Sequence, residues 1–198
     1  MLDAILGASP ALKRVQTRAA RILSRAGLSA DSATIAGMII GVLAGIAFFA
    51  GAVWLGIALL AISAALDALD GTIARECGGA ATPLGGVLDL TSDSIVEAAV
   101  IVGIAARRPE LHFPALLLVA SWYVNITVFL AVGAAMERRG PKIIDYPPGI
   151  LERTEALIFF AVLALAGPIG PALCYLFTAL ELVTGAQRFL FGRRMLHG

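Results

Sequence analysis

Four aspartates, Asp67, Asp70, Asp89 and Asp93, lie close together in an otherwise apolar chain. On a helix turning about 100° per residue, Asp67 and Asp70 share a face, and so do Asp89 and Asp93. Gly78, Gly79 and Pro83 interrupt the helical pattern between the pairs, so the segment reads as two helices joined by a short loop. Such helices are normally antiparallel neighbours, and the two acidic faces can meet. Carboxylates near the hydrocarbon edge are costly, by roughly 2.5 to 3.5 kcal/mol each at mid-membrane, and four together repel one another. Unless most are protonated, a cation must sit among them. An all-oxygen donor set with no nearby histidine or cysteine cluster favours Mg²⁺, Mn²⁺ or Ca²⁺ over zinc. Two such ions about 3.5 to 4 Å apart suit phosphoryl chemistry, because they can hold attacking and leaving oxygens together. Gly71 and Ala74 leave room for a flat base or sugar beside Asp70, although each alone more often serves helix packing. Arg75 can pair with a phosphate or an aspartate.

The solvent that surrounds this cluster follows from composition. The chain has 198 residues, 59% of them hydrophobic and 15% charged, with a mean hydropathy of +0.89, which excludes an ordinary soluble domain. The net charge of +1 points to no particular partner, and nothing indicates nucleic acid. Ser9 and Pro10 mark a helix start, and residues 10–26 carry an apolar stripe of Leu12, Val15, Ala19, Ile22 and Leu23. Arg14, Arg18, Arg21 and Arg25 form a second stripe, fitting either a helix in the headgroup plane of an anionic leaflet or a solvated basic face. No basic region, apolar run and cleavage site open the chain, so a signal peptide is not expected.

Residues 33–66 carry no charge and suffice for two spans turning near Gly51. Gly37, Gly41 and Gly45 recur every four residues on the first, a stripe for close helix contact. The second continues through Asp67 to about Arg75. Further spans are expected over 84–106, 111–136, 150–167 and 171–191. The expected fold class is therefore an all-α integral membrane protein: six transmembrane helices, about 33–191, preceded by an N-terminal amphipathic interfacial helix, in one domain over 1–198. With the N-terminus inside, thirteen of the fifteen Lys and Arg lie on the inner side, and only Arg107 and Arg108 face outward. This places the chain in the cell (inner) membrane as a multi-pass protein, with both termini and the aspartates cytoplasmic. Cys77 and Cys174 then fall at opposite ends of the bundle, too far apart for a disulfide.

Residues 67–93 match the D-x-x-D-G-x-x-A-R, then nine residues, then G-x-x-x-D-x-x-x-D pattern at Asp67, Asp70, Gly71, Ala74, Arg75, Gly85, Asp89 and Asp93. In this the chain resembles the CDP-alcohol phosphotransferases, and the six-span plan and basic first helix are similar too. The resemblance implies a transferase of phospholipid biosynthesis that moves a phospho-alcohol group from a CDP-linked donor to an alcohol acceptor, with release of CMP. It implies two ions, Mg²⁺ or Mn²⁺, held by Asp67, Asp70, Asp89 and Asp93, and a general base in Asp93. Gly71, Ala74, Arg75, Thr82 and Gly85 would contact the CDP moiety. Ala30 to Thr34 occupy the place of the family's Pro-Asn-x-x-Thr, which makes Asp31 and Thr34 either nucleotide contacts or an ordinary helix N-cap. The resemblance also implies a homodimer.

Glu152, Arg153, Glu155 and Ala156 resemble the Glu-Arg-x-Glu-Arg segment of the family's phosphatidylinositol-phosphate synthases, with Ala156 in place of the second arginine. The end of the fourth span, Glu137, Arg138 and Arg139, also lacks their Lys-x-Arg pair, which argues against an inositol-phosphate acceptor. Arg153 is a candidate for an acceptor or lipid phosphate, or for pairing with Glu152 or Glu155; Arg138, Arg139 and Lys142 are weaker candidates. Tyr146, Pro147 and Pro148 read as a stiff loop, and Asn125 and Thr127 as interhelical hydrogen-bonding residues. Neither His112 nor His197 is expected in catalysis. The competing classes are a cation carrier and a non-catalytic membrane protein that keeps the family fold. A carrier would spread its carboxylates through the membrane depth, whereas these cluster near one surface.

Overall fold

The computed structural model describes residues 10–76, 82–137 and 149–197, and those residues fold into seven α-helices with two short 3-10 turns. They are α1 (Pro10–Arg25), α2 (Ala30–Phe49), α3 (Val53–Glu76), α4 (Pro83–Ala106), α5 (His112–Glu137), α6 (Arg153–Leu165) and α7 (Gly170–His197). Cys77, Arg138, Arg139, Lys142 and Tyr146 to Pro148 lie outside the described residues. Among the described residues the protein is all-helical.

Each early helix ends where its sequence stops it. Gly27 and Gly51 adopt φ of +92° and +83°, the left-handed conformation that favours glycine. Gly27 N donates to Ser24 O at 3.0 Å and Leu28 N to Leu23 O at 3.0 Å; Gly51 N and Ala52 N donate likewise to Phe48 O and Ala47 O, at 2.9 Å each. These paired bonds satisfy the last carbonyls of α1 and α2 and set the turn into the next helix. The turn expected near Gly51 is thus the junction of α2 and α3. Ser29, not Asp31 or Thr34, caps α2, accepting from Ser32 N at 3.1 Å.

Helix α2 packs against both α3 and α4, and its small residues allow the approach. Gly37, Gly41 and Gly45 are buried. A Cβ at Gly41 would lie 2.5 Å from Val96 Cγ2, and one at Gly45 would lie 2.5 Å from the Ala99 carbonyl oxygen. Ser63 Oγ donates to Gly37 O at 2.8 Å across the α2–α3 contact. Helices α5 and α7 form a second pair, and α6 contacts α3, α4 and α7. The main core joins Phe48, Val100, Ile101, Leu118, Phe160 and Leu163 across these elements. Helix α1 lies against α3 through a small cluster of Ala20, Ala33 and Ile73. Its buried contact is Ala20, while Val15 and Ile22 of the expected apolar stripe are exposed, as are Arg14, Arg18, Arg21 and Arg25.

Large apolar side chains also cover the outside of the bundle, among them Ile39, Ile46, Trp54, Leu116 and Leu176. An apolar exterior of this extent belongs in a bilayer, where the helices satisfy their backbone polar groups internally. Four helical segments are long and apolar enough to cross one: Ala30–Phe49, Val53–Arg75, Pro109–Met136 and Gly167–Leu196. Two other helices fall short by that measure for different reasons. α4 has 24 residues but carries Asp89, Asp93 and Glu97. α6 has 13 residues, so it is about 20 Å long, less than a hydrocarbon core of about 30 Å.

Candidate active site

Helices α3 and α4 bring their acidic faces together. Thr82 caps α4, its Oγ1 accepting from Gly85 N at 2.9 Å, and Pro83 opens the first turn. One carboxylate oxygen from each of Asp67, Asp89 and Asp93 falls within 4.8 Å of the others, close enough to hold one ion between them. This all-oxygen set fits a hard divalent cation.

Asp70 is buried beside this trio and its Oδ2 accepts a 2.6 Å hydrogen bond from Thr34 Oγ1 of α2. The fourth aspartate lines a cavity together with Asp89. A cation of the protein already reaches the trio. Arg153, in the first turn of α6, forms ion pairs with Asp67 Oδ2 at 3.0 Å and with Asp93 Oδ1. Its pairing with Glu152 or Glu155, one of the two expectations for it, gives way to these aspartates. Glu152 and Glu155 instead close the helix start, with Glu152 N donating to Glu155 Oε2 at 3.2 Å.

Two cavities flank the carboxylates. The first, about 370 Å³, is lined by Asp31, Thr34, Gly71, Ala74, Arg75, Thr82 and Gly85, with Asp70 and Asp89 at its wall. Every residue that the sequence motif nominates for the nucleotide thus faces one space. Its glycines hold it open: a Cβ at Gly71 would lie 3.1 Å from Arg75 Nη1, and one at Gly85 would lie 3.1 Å from Thr82 Oγ1 and 3.5 Å from Asp31 Oδ1. The second cavity, about 380 Å³, lies on the other side of Asp93 and Arg153, between α4, α5, α6 and α7.

That second cavity contains residues the motif does not mark. Asn125 Nδ2 donates to Glu181 Oε2 at 2.5 Å, and Arg188 Nη1 donates to Asn125 Oδ1 at 2.9 Å, linking α5 to α7. Asn125 therefore makes the interhelical bond expected of it. Thr127 does not: its hydroxyl turns back to Tyr123 O at 2.7 Å on its own helix. Glu97, one turn beyond Asp93, faces the same cavity. The available signal for Glu97, Glu181 and Arg188 was ionisable character within apolar helices, which marks function by default in a membrane.

The fold and site together define a multi-pass membrane protein with an acidic cluster that could hold a metal, flanked by two cavities. The sequence model of the CDP-alcohol phosphatidyltransferase family matches residues 28–187, and the chain belongs to that family. It is 33% identical over 192 residues to an archaetidylinositol phosphate synthase of Pyrococcus horikoshii, covering 94% of this chain and 95% of that one. It is 28% identical over 205 residues to the inner membrane protein YnjF of Escherichia coli, covering 93% and 95%. Among solved structures, the phosphatidylinositol phosphate synthase of Mycobacterium tuberculosis with CDP-DAG bound superposes with a TM-score of 0.74 at 28% identity, covering 90% of this chain and 94% of that one. The same enzyme in complex with manganese and citrate gives a TM-score of 0.73 at 27% identity, covering 90% and 88%. The protein is accordingly a CDP-alcohol phosphotransferase, a transferase that takes a CDP-linked donor and an alcohol acceptor.

Proposed function

We propose that the first cavity seats the CDP group of CDP-diacylglycerol and the second admits the acceptor alcohol, with reaction at the carboxylates between them. The carrying observation is the convergence of the seven nominated nucleotide residues on one cavity that shares its wall with Asp70 and Asp89. In this reading Asp67, Asp70, Asp89 and Asp93 hold two ions, Mg²⁺ or Mn²⁺. Bound there, they supply charge neutralisation for the diphosphate and for the oxygen that leaves. That the similar mycobacterial enzyme forms a complex with manganese supports a metal-dependent reading of this chain.

Asp93 lies at the border of the second cavity, where it accepts the proton of the acceptor hydroxyl. The freed oxygen forms a bond to the phosphorus that carries the donor alcohol, and the bond from that phosphorus to CMP breaks, CMP leaving with the electron pair. Arg75 faces the diphosphate in the first cavity. Arg153 exchanges its aspartate partners for a phosphate oxygen of the donor or acceptor when metal arrives, and Arg138, Arg139 and Lys142 are weaker candidates for the same role.

The chain acts as a single domain over 1–198 in the cell (inner) membrane, with both termini and the active site cytoplasmic. α4 and α6 complete a six-span bundle, their carboxylates and short length tolerated by the site and by neighbouring helices. α1 lies in the headgroup plane, its four exposed arginines toward anionic lipid and Val15 and Ile22 toward the acyl boundary. Two copies assemble as a homodimer.

The test is to incubate purified protein in lipid nanodiscs with CDP-diacylglycerol, Mg²⁺ and a panel of alcohols, following CMP and lipid products by mass spectrometry. Stoichiometric CMP and phosphatidyl-alcohol that vanish in excess chelator support the reading. Undiminished transfer after verified metal removal contradicts it.

A further inference from the structure

At the end of the bundle opposite the aspartates, the turns that follow α2, α4 and α6 meet around a third cavity, of about 290 Å³. Arg107 stands there at the C-cap of α4, about 21 Å along the helix from Asp93. Phe48, Val53, Ile104 and Ala164 give the cavity an apolar lining, and Arg107 and Arg108 give it charge.

The two arginines are held differently. Arg108 is fixed by the protein: its Nε donates to Glu110 Oε1 at 2.9 Å, its Nη1 to Leu163 O at 3.0 Å and its Nη2 to Gly167 O. Arg107 lies over Gly51, where an added Cβ would sit 3.2 Å from its Cζ. It makes a single hydrogen bond to a described residue, from Nη1 to Ala50 O at 3.3 Å. Most of its donor fork is thus available beside a guanidinium already locked in place. Glu110 is the one carboxylate among the described residues of these turns, so positive charge is in excess. Like charges side by side on an apolar lining call for an anion between them.

The surroundings say which anion. Trp54, 74% exposed in the first turn of α3 and next to Val53, puts this end at the headgroup level, where tryptophan rings settle. The anion abundant at that level is a lipid phosphate, and the planar fork of arginine matches its oxygens. The cavity can take a phosphodiester and the start of its glycerol, leaving the acyl chains on the apolar exterior. A zwitterionic head group would bring its own cation toward the guanidiniums, whereas an anionic one adds no such repulsion.

We infer that this cavity binds the phosphate of an anionic phospholipid from the leaflet opposite the active site, gripped by Arg107 and Arg108. The bound head group ties the turns after α2, α4 and α6 to one another. The inference does not depend on the transferase reading.

The experiment uses the full-length protein, delipidated in dodecyl maltoside. It is titrated with dioleoylphosphatidylglycerol, dioleoylphosphatidylcholine or inorganic phosphate while the thermal midpoint is followed. Phosphatidylglycerol is expected to raise the midpoint at about ten-fold lower concentration than phosphatidylcholine, and inorganic phosphate to leave it unchanged. Arg107→Gln is expected to shift the phosphatidylglycerol response to about ten-fold higher concentration, the effect of a lost hydrogen bond to a charged group. Unchanged helical circular dichroism and gel-filtration behaviour show that the variant is folded. The exposed arginines of α1 are intact in both proteins, so their attraction for lipid cancels in the comparison. Ala164→Leu, which narrows the cavity and keeps both arginines, is expected to weaken the response likewise and serves where Arg107→Gln does not fold. An unchanged phosphatidylglycerol response in a folded variant overturns the inference, even where the lipid-free midpoint falls, since Arg107 then only caps α2. Equal protection by phosphatidylcholine overturns it too, as does equal protection by inorganic phosphate, which would mark a site for a free anion.

Discussion

Thr34 Oγ1 donates a 2.6 Å hydrogen bond to Asp70 Oδ2, tying the first turns of α2 to the last turns of α3 across 36 residues. The hydroxyl also donates toward Ala30 O at 3.1 Å, so one proton is shared between a helix carbonyl and a buried carboxylate. Asp70 is thereby aimed before any ligand arrives. Thr34→Val keeps the side-chain volume and removes the donor; Thr34→Ser keeps the donor. The valine variant is expected to bind CDP-diacylglycerol and Mn²⁺ about ten-fold more weakly and the serine variant nearly as well as the parent, by calorimetry. Equal affinity for all three would mean that the bond serves packing alone.

Asp93 borders the second cavity and contributes to the acidic trio. Asp93→Asn is expected to lower transfer by about 10²-fold to 10⁴-fold, the span of general-base catalysis, while nucleotide binding stays measurable. Single-turnover assays with saturating donor separate the two effects. Undiminished turnover would remove Asp93 from its proposed role.

Arg153 neutralises Asp67 and Asp93 where a metal would otherwise do so. Removing it leaves the carboxylates mutually repelling and more receptive to a divalent ion. Arg153→Ala is expected to tighten Mn²⁺ binding by a few-fold and to reduce transfer, whereas Arg153→Lys changes metal affinity less. The Mn²⁺ titration by electron paramagnetic resonance decides this. Weaker metal binding in the alanine variant would show that Arg153 supports the ion rather than competing with it.

Gly45 of α2 meets the backbone of α4, where a Cβ would sit 2.5 Å from Ala99 O. Backbone cannot rotate away as a side chain can, so Gly45→Ala is expected to cost about 1 to 3 kcal/mol and to lower the thermal midpoint in detergent by several degrees. Gly86→Ala, where nothing lies within 4 Å of the added carbon, is the matched control and is expected to hold or raise it. Equal midpoints would mean that α2 and α4 separate freely enough to absorb the methyl.

Local rules made much of this visible beforehand. Gly51 announced its turn because an apolar run of twice a membrane's thickness must reverse somewhere, and glycine supplies the left-handed residue cheaply. The Gly37, Gly41 and Gly45 stripe announced a close helix contact, and the aspartates their meeting, because period fixes which side chains share a face. Other features depended on partners distant in sequence. Nothing around Arg153 says that it crosses to Asp67 and Asp93 instead of pairing within its own turn. Asp70 could not be separated from the other aspartates by spacing, since its orientation comes from Thr34. The small cluster that seats α1 uses Ala20, a residue too short to register in an amphipathic pattern, while Val15 and Ile22 face outward. Likewise the Glu181, Asn125 and Arg188 chain exists only once α5 and α7 pack together.

The most direct test of the metal site is an experimental structure of the protein grown with Mn²⁺ and CDP-diacylglycerol, with data collected to reveal manganese by anomalous scattering. Anomalous density is expected among Asp67, Asp70, Asp89 and Asp93, with Arg153 displaced and cytidine lying against Gly71 and Gly85. Manganese-free density there, with Arg153 still between Asp67 and Asp93 while donor is bound, would contradict the account.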